Sequence, residues 1–286
     1  MNPGAVDHLA QRVVAVLVIG FGVAQVLLSI GDWHLRDMGA YWDAGERLRS
    51  GEALYPRLDD PEASTTYRYA PWFAWLWIPV TALPREAVGV LWSGVLLAAS
   101  AIALAPAVKR RAWIVVALFA PMLIGISAIG NAHPLLIAGL VHGVDRRSGP
   151  LWIALAASLK LVPIVFVLTY IGRGQWPRAA VAIGATVVLV VPASLYDLSR
   201  YPTSSGQAAA LIAVPGLYVA AVAAAAVITV RLARSRTAWL ASAATVTLAV
   251  PRLFVYDVTY VLVGLTGTGT AAASDEGHGR RLRTGP

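Results

Sequence analysis

Lys160 stands in the middle of 22 mostly apolar residues, 151–172, with Arg146 and Arg147 before them and Arg173 and Arg178 after them. Basic residues gather at the cytoplasmic ends of membrane segments, so both flanks belong on one side of a bilayer and the stretch cannot cross it once. It must turn back, and Lys160-Leu-Val-Pro163 is the polar, proline-marked place to turn. Composition agrees that the bilayer is the solvent: 58% of the 286 residues are hydrophobic and 13% are charged, and the mean hydropathy is +0.66. A soluble globular chain does not carry these values.

Other apolar runs lie at about 13–30, 71–83, 87–107, 112–129, 133–144, 178–196, 208–230 and 238–268. The first is close to the ~20 residues a helix needs to cross, and no small-residue cleavage site follows it, so it reads as an anchor rather than a removed signal. Between the runs stand Lys109-Arg-Arg111, Arg146-Arg147, Arg173 with Arg178, Arg231 with Arg234 and Arg236, and a tail carrying Arg280, Arg281 and Arg283. Placing these and Arg12 inside gives 14 Lys and Arg against four Asp and Glu on the inner side, and nine against 11 on the outer side. The same rule breaks 238–268 between Pro251 and Asp257, and makes 71–83, bracketed by Pro71 and Pro84, a short element that dips into the outer leaflet. The expected chain is an all-α polytopic membrane protein of about ten transmembrane crossings with broken helices. Its expected divisions are a cytoplasmic N-terminus at 1–12, a transmembrane domain at 13–268 with an outer loop at 32–70, and a disordered cytoplasmic tail at 269–286.

Several function classes drop out. With no cysteine there is neither a disulfide framework nor a thiolate metal site, and the five histidines never stand at metal-ligand spacing. No metal and no cofactor is expected. The net charge of +8 is spread over cytoplasmic loops as topology determinants, so no nucleic-acid partner is expected either.

Helices of 11–14 residues reach about 16–21 Å at ~1.5 Å per residue, against a hydrocarbon core of ~30 Å. Their outer turns therefore lie sunken, and irregular polar backbone at membrane depth is tolerated where it lines a water-filled or protein-lined space. Asp37, Asn131, His133, Lys160, Asp197, Arg252, Tyr256 and Asp257 all fall on this one side. Their convergence marks a site.

Asp37 with Tyr41, Gly51 and Tyr55, then Tyr67-Arg-Tyr69-Ala-Pro71, Gly130-Asn131, Leu159-Lys160-Leu-Val-Pro163, and Pro251 with Tyr256-Asp257 form an ordered series. The series resembles the signature of glycosyltransferase family 87, which contains the polyprenol-phosphate-mannose-dependent mannosyltransferases of actinobacteria. The resemblance implies a C-type membrane glycosyltransferase fold, a lipid-phosphate sugar donor used as co-substrate, and an active site on the outer face of the cell membrane. Members more often show Tyr-Pro-Pro and Gly-Gln where this chain has Tyr69-Ala-Pro71 and Gly130-Asn131. The mannosyltransferase branch also commonly has a histidine near the position of Tyr256 or Asp257.

Transfer from a polyprenyl phosphosugar needs a base for the acceptor hydroxyl, while the phosphate leaves as a stable anion without an acid. Asp37, placed a few residues after the first span, is the expected base; the alternative is an N-cap for a helix running to Ser50. Asp43, with Arg47 at i+4, reads as a helix salt-bridge partner. A lone lysine at mid-run costs ~2.5–3.5 kcal/mol on insertion scales, so Lys160 should meet the donor phosphate or a carboxylate. Arg252 and Asp257 could hold their turn together, or Arg252 could bind phosphate. Tyr67, Arg68 and Tyr69 could hold the donor head group or belong to an aromatic belt. Tyr41, Asn131, His133, Tyr256 and Asp257 are expected to line the cavity, His133 as a helix-start residue or a second base. The acceptor partner is expected to be a glycolipid or glycan. Two other readings are a transporter or flippase built on broken helices, and a non-catalytic membrane subunit.

Overall fold

Among the described residues proline opens six of the helices: Pro71, Pro134, Pro150, Pro163, Pro177 and Pro215 each occupy a first or second position. There the missing N–H costs nothing and the fixed φ is already helical. The computed structural model of the protein describes residues 12, 13, 16, 20, 35–56, 66–198, 214–251 and 253–265, and every regular element among them is helical. Residues 1–11 of the N-terminus, most of the 13–30 span, part of the expected outer loop, Arg252 and the tail 269–286 lie outside the described residues.

The chain runs through Arg36–Arg49, Pro71–Trp77, Arg85–Lys109, Trp113–Ala128, His133–Gly143, Gly149–Leu159, Val162–Gly172, Trp176–Leu195, Pro215–Leu232, Ala238–Leu248 and the 3-10 helix Val255–Leu265. Both expected breaks are present. The Gly149–Leu159 helix stops where Lys160 turns extended, at φ −136 and ψ 109, because Pro163 has no N–H to offer Leu159 O. Ala238–Leu248 ends before Pro251, and the chain resumes as a helix at Val255.

Among the described residues three helices are long and apolar enough to cross a membrane by themselves: Arg85–Lys109, Trp176–Leu195 and Pro215–Leu232. The described part of this membrane protein is all-helical, and its remaining apolar helices are shorter, several of them 11 residues. Such a helix is about 16 Å long. The turns between them alternate. At one end, Asp145 accepts hydrogen bonds from Arg173 Nη1 at 3.0 Å and Trp239 Nε1 at 3.1 Å, and Arg173 Nε donates to Ala233 O at 2.8 Å. Three basic turns are thereby tied together. The opposite ends of the same helices carry Asn131, Lys160 and Tyr256.

Two cores hold this arrangement. The larger joins Leu123, Ile137, Leu140, Ile153, Phe166, Tyr170, Trp239 and Tyr260 across the helices. Lipid is as apolar as these side chains, so close contact rather than water expulsion must bind them. Small residues allow it: a Cβ on Gly139 would stand 2.5 Å from the Trp152 ring, and Gly143 packs on the same indole. The smaller core joins Met38, Tyr41, Tyr55, Tyr67, Phe73 and Trp77, packing the Arg36–Arg49 helix on Pro71–Trp77. It lies in the polar segment that precedes the Arg85–Lys109 helix, where burying each such side chain contributes about 1.5–3 kcal/mol.

Candidate active site

The site is built at the start of the His133–Gly143 helix. Gly130 has φ +80, a conformation that disfavours any side chain, and a Cβ there would lie 2.8 Å from Met38 Cβ. That close approach brings Asp37 to the turn: its N–H donates to Ile129 O at 3.0 Å, and Trp92 Nε1 donates to Gly130 O at 2.8 Å. Asn131 then does two jobs. Its Oδ1 accepts the His133 N–H at 2.8 Å, satisfying one orphan donor of the helix, which turns Nδ2 toward Asp37 Oδ2 at 2.5 Å. Tyr41 supports the same turn, its hydroxyl accepting Ala132 N–H at 3.2 Å and donating to Tyr69 at 3.1 Å.

Asp37 is therefore not the N-cap that its place in sequence allows. It lies inside the first turn of Arg36–Arg49, Leu35 is at the cap, and no side-chain cap bond forms. Its carboxyl is free to face Asn131. Burial pushes the Asp37 carboxyl above the ordinary carboxylate range, against the opposing pull of the Asn131 hydrogen bond and the charges of Lys160, Arg68 and Arg36.

A cationic half faces it. Lys160 Nζ lies 3.5 Å from Asp257 Oδ1, 3.4 Å from His133 Nδ1 and 4.4 Å from the centre of the Tyr256 ring. Asp257 is itself held by Phe254 N–H at 3.0 Å. Exposure sorts the group into two layers. Asp37, Arg68, Tyr69, Lys160 and Tyr256 keep partial exposure, while Tyr41, Asn131, His133 and Asp257 are buried behind them. Among the described residues no group of His, Cys, Asp and Glu could hold a metal ion.

The family model of glycosyltransferase family 87 matches residues 67–199. The similarity to that family extends over 133 of the chain's 286 residues. No curated protein and no solved structure matches the chain. The family 87 segment supplies Tyr67, Arg68, Tyr69, Asn131, His133 and Lys160, whereas Asp37, Tyr256 and Asp257 lie outside it and join the site by geometry.

Several expectations change on this scaffold. Asp257 pairs with Lys160 as well as with Phe254 N–H in its own turn, and the expected Arg252 pairing lies outside the described residues. His133 and Tyr41 have no exposed surface, so they stand behind the wall of the site instead of lining it. Tyr67 is also buried, its hydroxyl donating to Ala70 O at 2.7 Å. Asp43 keeps Arg47 within charge reach, as expected, and in addition faces Arg85 Nη1 at 3.4 Å across two helices, an exposed pair worth about 0–1 kcal/mol. Thr259 escaped the sequence reading: a threonine in an apolar run carries no signal until the fold sets its Oγ1 2.8 Å from His133 Nε2.

Proposed function

We propose that this glycosyltransferase moves a sugar, mannose on the resemblance, from a polyprenyl monophosphate to a lipid-linked or cell-envelope glycan acceptor on the outer face of the cell membrane. The observation that carries the reading is the meeting of Asp37 and Lys160, two partly exposed opposite charges 123 positions apart, within electrostatic reach of each other. Asp37 takes the proton of the acceptor hydroxyl as its oxygen attacks the anomeric carbon. The bond from that carbon to the phosphate oxygen breaks, and polyprenyl phosphate leaves with its charge facing Lys160. A single displacement inverts the anomeric centre.

Further support for a lipid donor comes from an apolar groove lined by Val187, Val188, Val191, Pro192 and Leu195. Next in sequence after Leu195 is Tyr196, which accepts a hydrogen bond from Trp75 at 2.8 Å and meets the Tyr55 ring edge-on. Tyr55 in turn donates to Tyr69 O at 2.8 Å, beside the site. Purified protein in nanodiscs, given a polyprenyl phosphomannose and a glycolipid acceptor, should release polyprenyl phosphate. No release with any phosphosugar and acceptor would overturn the reading.

The outer-face assignment has its own check. Arg110 and Glu52 are both exposed and stand on opposite sides in the proposed orientation. In this cysteine-free chain an impermeant maleimide should label Glu52→Cys but not Arg110→Cys in intact cells. The reverse pattern would invert the topology.

A further inference from the structure

The chemistry proposed above uses Lys160 but leaves unused the imidazole behind it. His133 is 0% exposed, and its Nε2 lies 2.8 Å from Thr259 Oγ1 and 3.2 Å from Tyr256 O. The Thr259 hydroxyl donates to Tyr256 O at 2.6 Å, so its hydrogen is committed and it faces His133 as an acceptor. Both oxygens opposite Nε2 accept, which places the proton on Nε2. On the other side of the ring, Nδ1 stands 3.4 Å from Lys160 Nζ. An ammonium only donates, so Nδ1 presents its lone pair. The hydrogen-bond pattern thus fixes one tautomer of a neutral ring, since a second ring proton would set two donors against each other.

We propose that His133 is a positioning residue for Lys160: its neutral Nδ1 takes one ammonium N–H, Asp257 takes another, and the ammonium is held so that the remaining donor serves an anionic ligand. The tilted His133 ring, 5.0 Å from Tyr256 and 5.1 Å from Tyr260, cannot rotate without displacing those aromatics. Tyr256 stacks in turn on Phe254 at 5.3 Å and presents its face to Lys160. Both ammonium contacts are long for hydrogen bonds. They orient the charge without neutralising it. The ligand part of this inference rests on the reading of Lys160 as the contact for the donor phosphate.

The test has one arm that needs no catalysis. Histidine-labelled protein in nanodiscs would be studied by nitrogen NMR, with the His133 signals assigned by their loss in His133→Asn. Expected are a protonated Nε2, a bare Nδ1, and an Nδ1 resonance that moves when the ion pair is removed as Lys160→Met with Asp257→Asn. A proton on Nδ1, or a resonance indifferent to that change, overturns the inference whatever the enzyme does. In the kinetic arm, His133→Leu removes the acceptor, while His133→Asn keeps an oxygen near the place of Nδ1. The leucine variant should raise the donor KM about tenfold, the loss of one hydrogen bond to a charged group, with kcat little changed, and the asparagine variant should recover most of it. Equal kinetic losses in both variants, or an unchanged donor KM in His133→Leu, would show packing alone. Donor turnover absent from the wild type, with the expected tautomer present, would overturn the donor reading and leave the positioning of Lys160 standing.

Discussion

Asp37→Asn should lower sugar transfer by about 10²–10⁴-fold, the contribution of a positioned base, while the melting temperature stays near that of the wild type. The structure says why the fold should tolerate the change. Asp37 caps nothing, and its backbone bond to Ile129 O does not involve the side chain. The new amide can present its oxygen to Asn131 Nδ2, so the turn at Gly130 keeps its partner. What disappears is the capacity to accept a proton. In the wild type, burial raises the Asp37 carboxyl above its ordinary range, and a base works only when ionised. The acid limb of kcat/KM should therefore lie above the ordinary carboxylate range and be absent from the residual activity of the asparagine variant. Retention of more than about a tenth of wild-type turnover would remove Asp37 from the base role.

Lys160→Met should damage the protein twice, and a second substitution should separate the two losses. Taken as a lone buried charge, Lys160 would be expected to give a more stable protein when replaced. The structure reverses that expectation, because Asp257 is 2% exposed and Lys160 is its cation. Breaking a buried pair from one side leaves the other charge uncompensated, at a cost of up to about 3–5 kcal/mol. The double variant Lys160→Met with Asp257→Asn removes both charges and leaves an oxygen for Phe254 N–H, so it should recover most of the lost melting temperature. Donor binding should not recover. A charge-assisted contact to the phosphate contributes about 1.5–3 kcal/mol, or about 10- to 150-fold in donor affinity, and methionine cannot supply it. A stable double variant that uses donor as the wild type does would dismiss the phosphate role.

The breaks in the helices were legible in the sequence because each is written in several chemistries at once. At Lys160, a buried cation, a proline three residues on and basic clusters at both ends of one apolar run leave a single solution. The meeting of Asp37, Asn131, Lys160 and Asp257 followed from topology, since alternate turns of a helical membrane chain must share a side. Partner choice was not legible. The Lys160 partner of Asp257 and the Arg85 partner of Asp43 come from other helices, and sequence displays local neighbours while hiding those. The cap reading of Asp37 failed by two residues: the helix opens at Arg36 with Leu35 at the cap, and only the tertiary contact with Ile129 reveals it. His133 looked like an edge residue beside Pro134, since nothing in its own segment shows that Tyr256 and Tyr260 close over it.

Asn131 and His133 lie two positions apart at one helix start, and each reaches a different charge, Asn131 holding Asp37 and His133 touching Lys160. In an in-line displacement the nucleophile and the leaving group occupy opposite sides of the reacting carbon, so what matters most is the gap between the group that serves each. On the proposed chemistry, one backbone turn would act as a gauge for that gap. Variation among related chains at the intervening Ala132 would then change the width of the gauge, and with it the bulk of sugar admitted, without altering either charge.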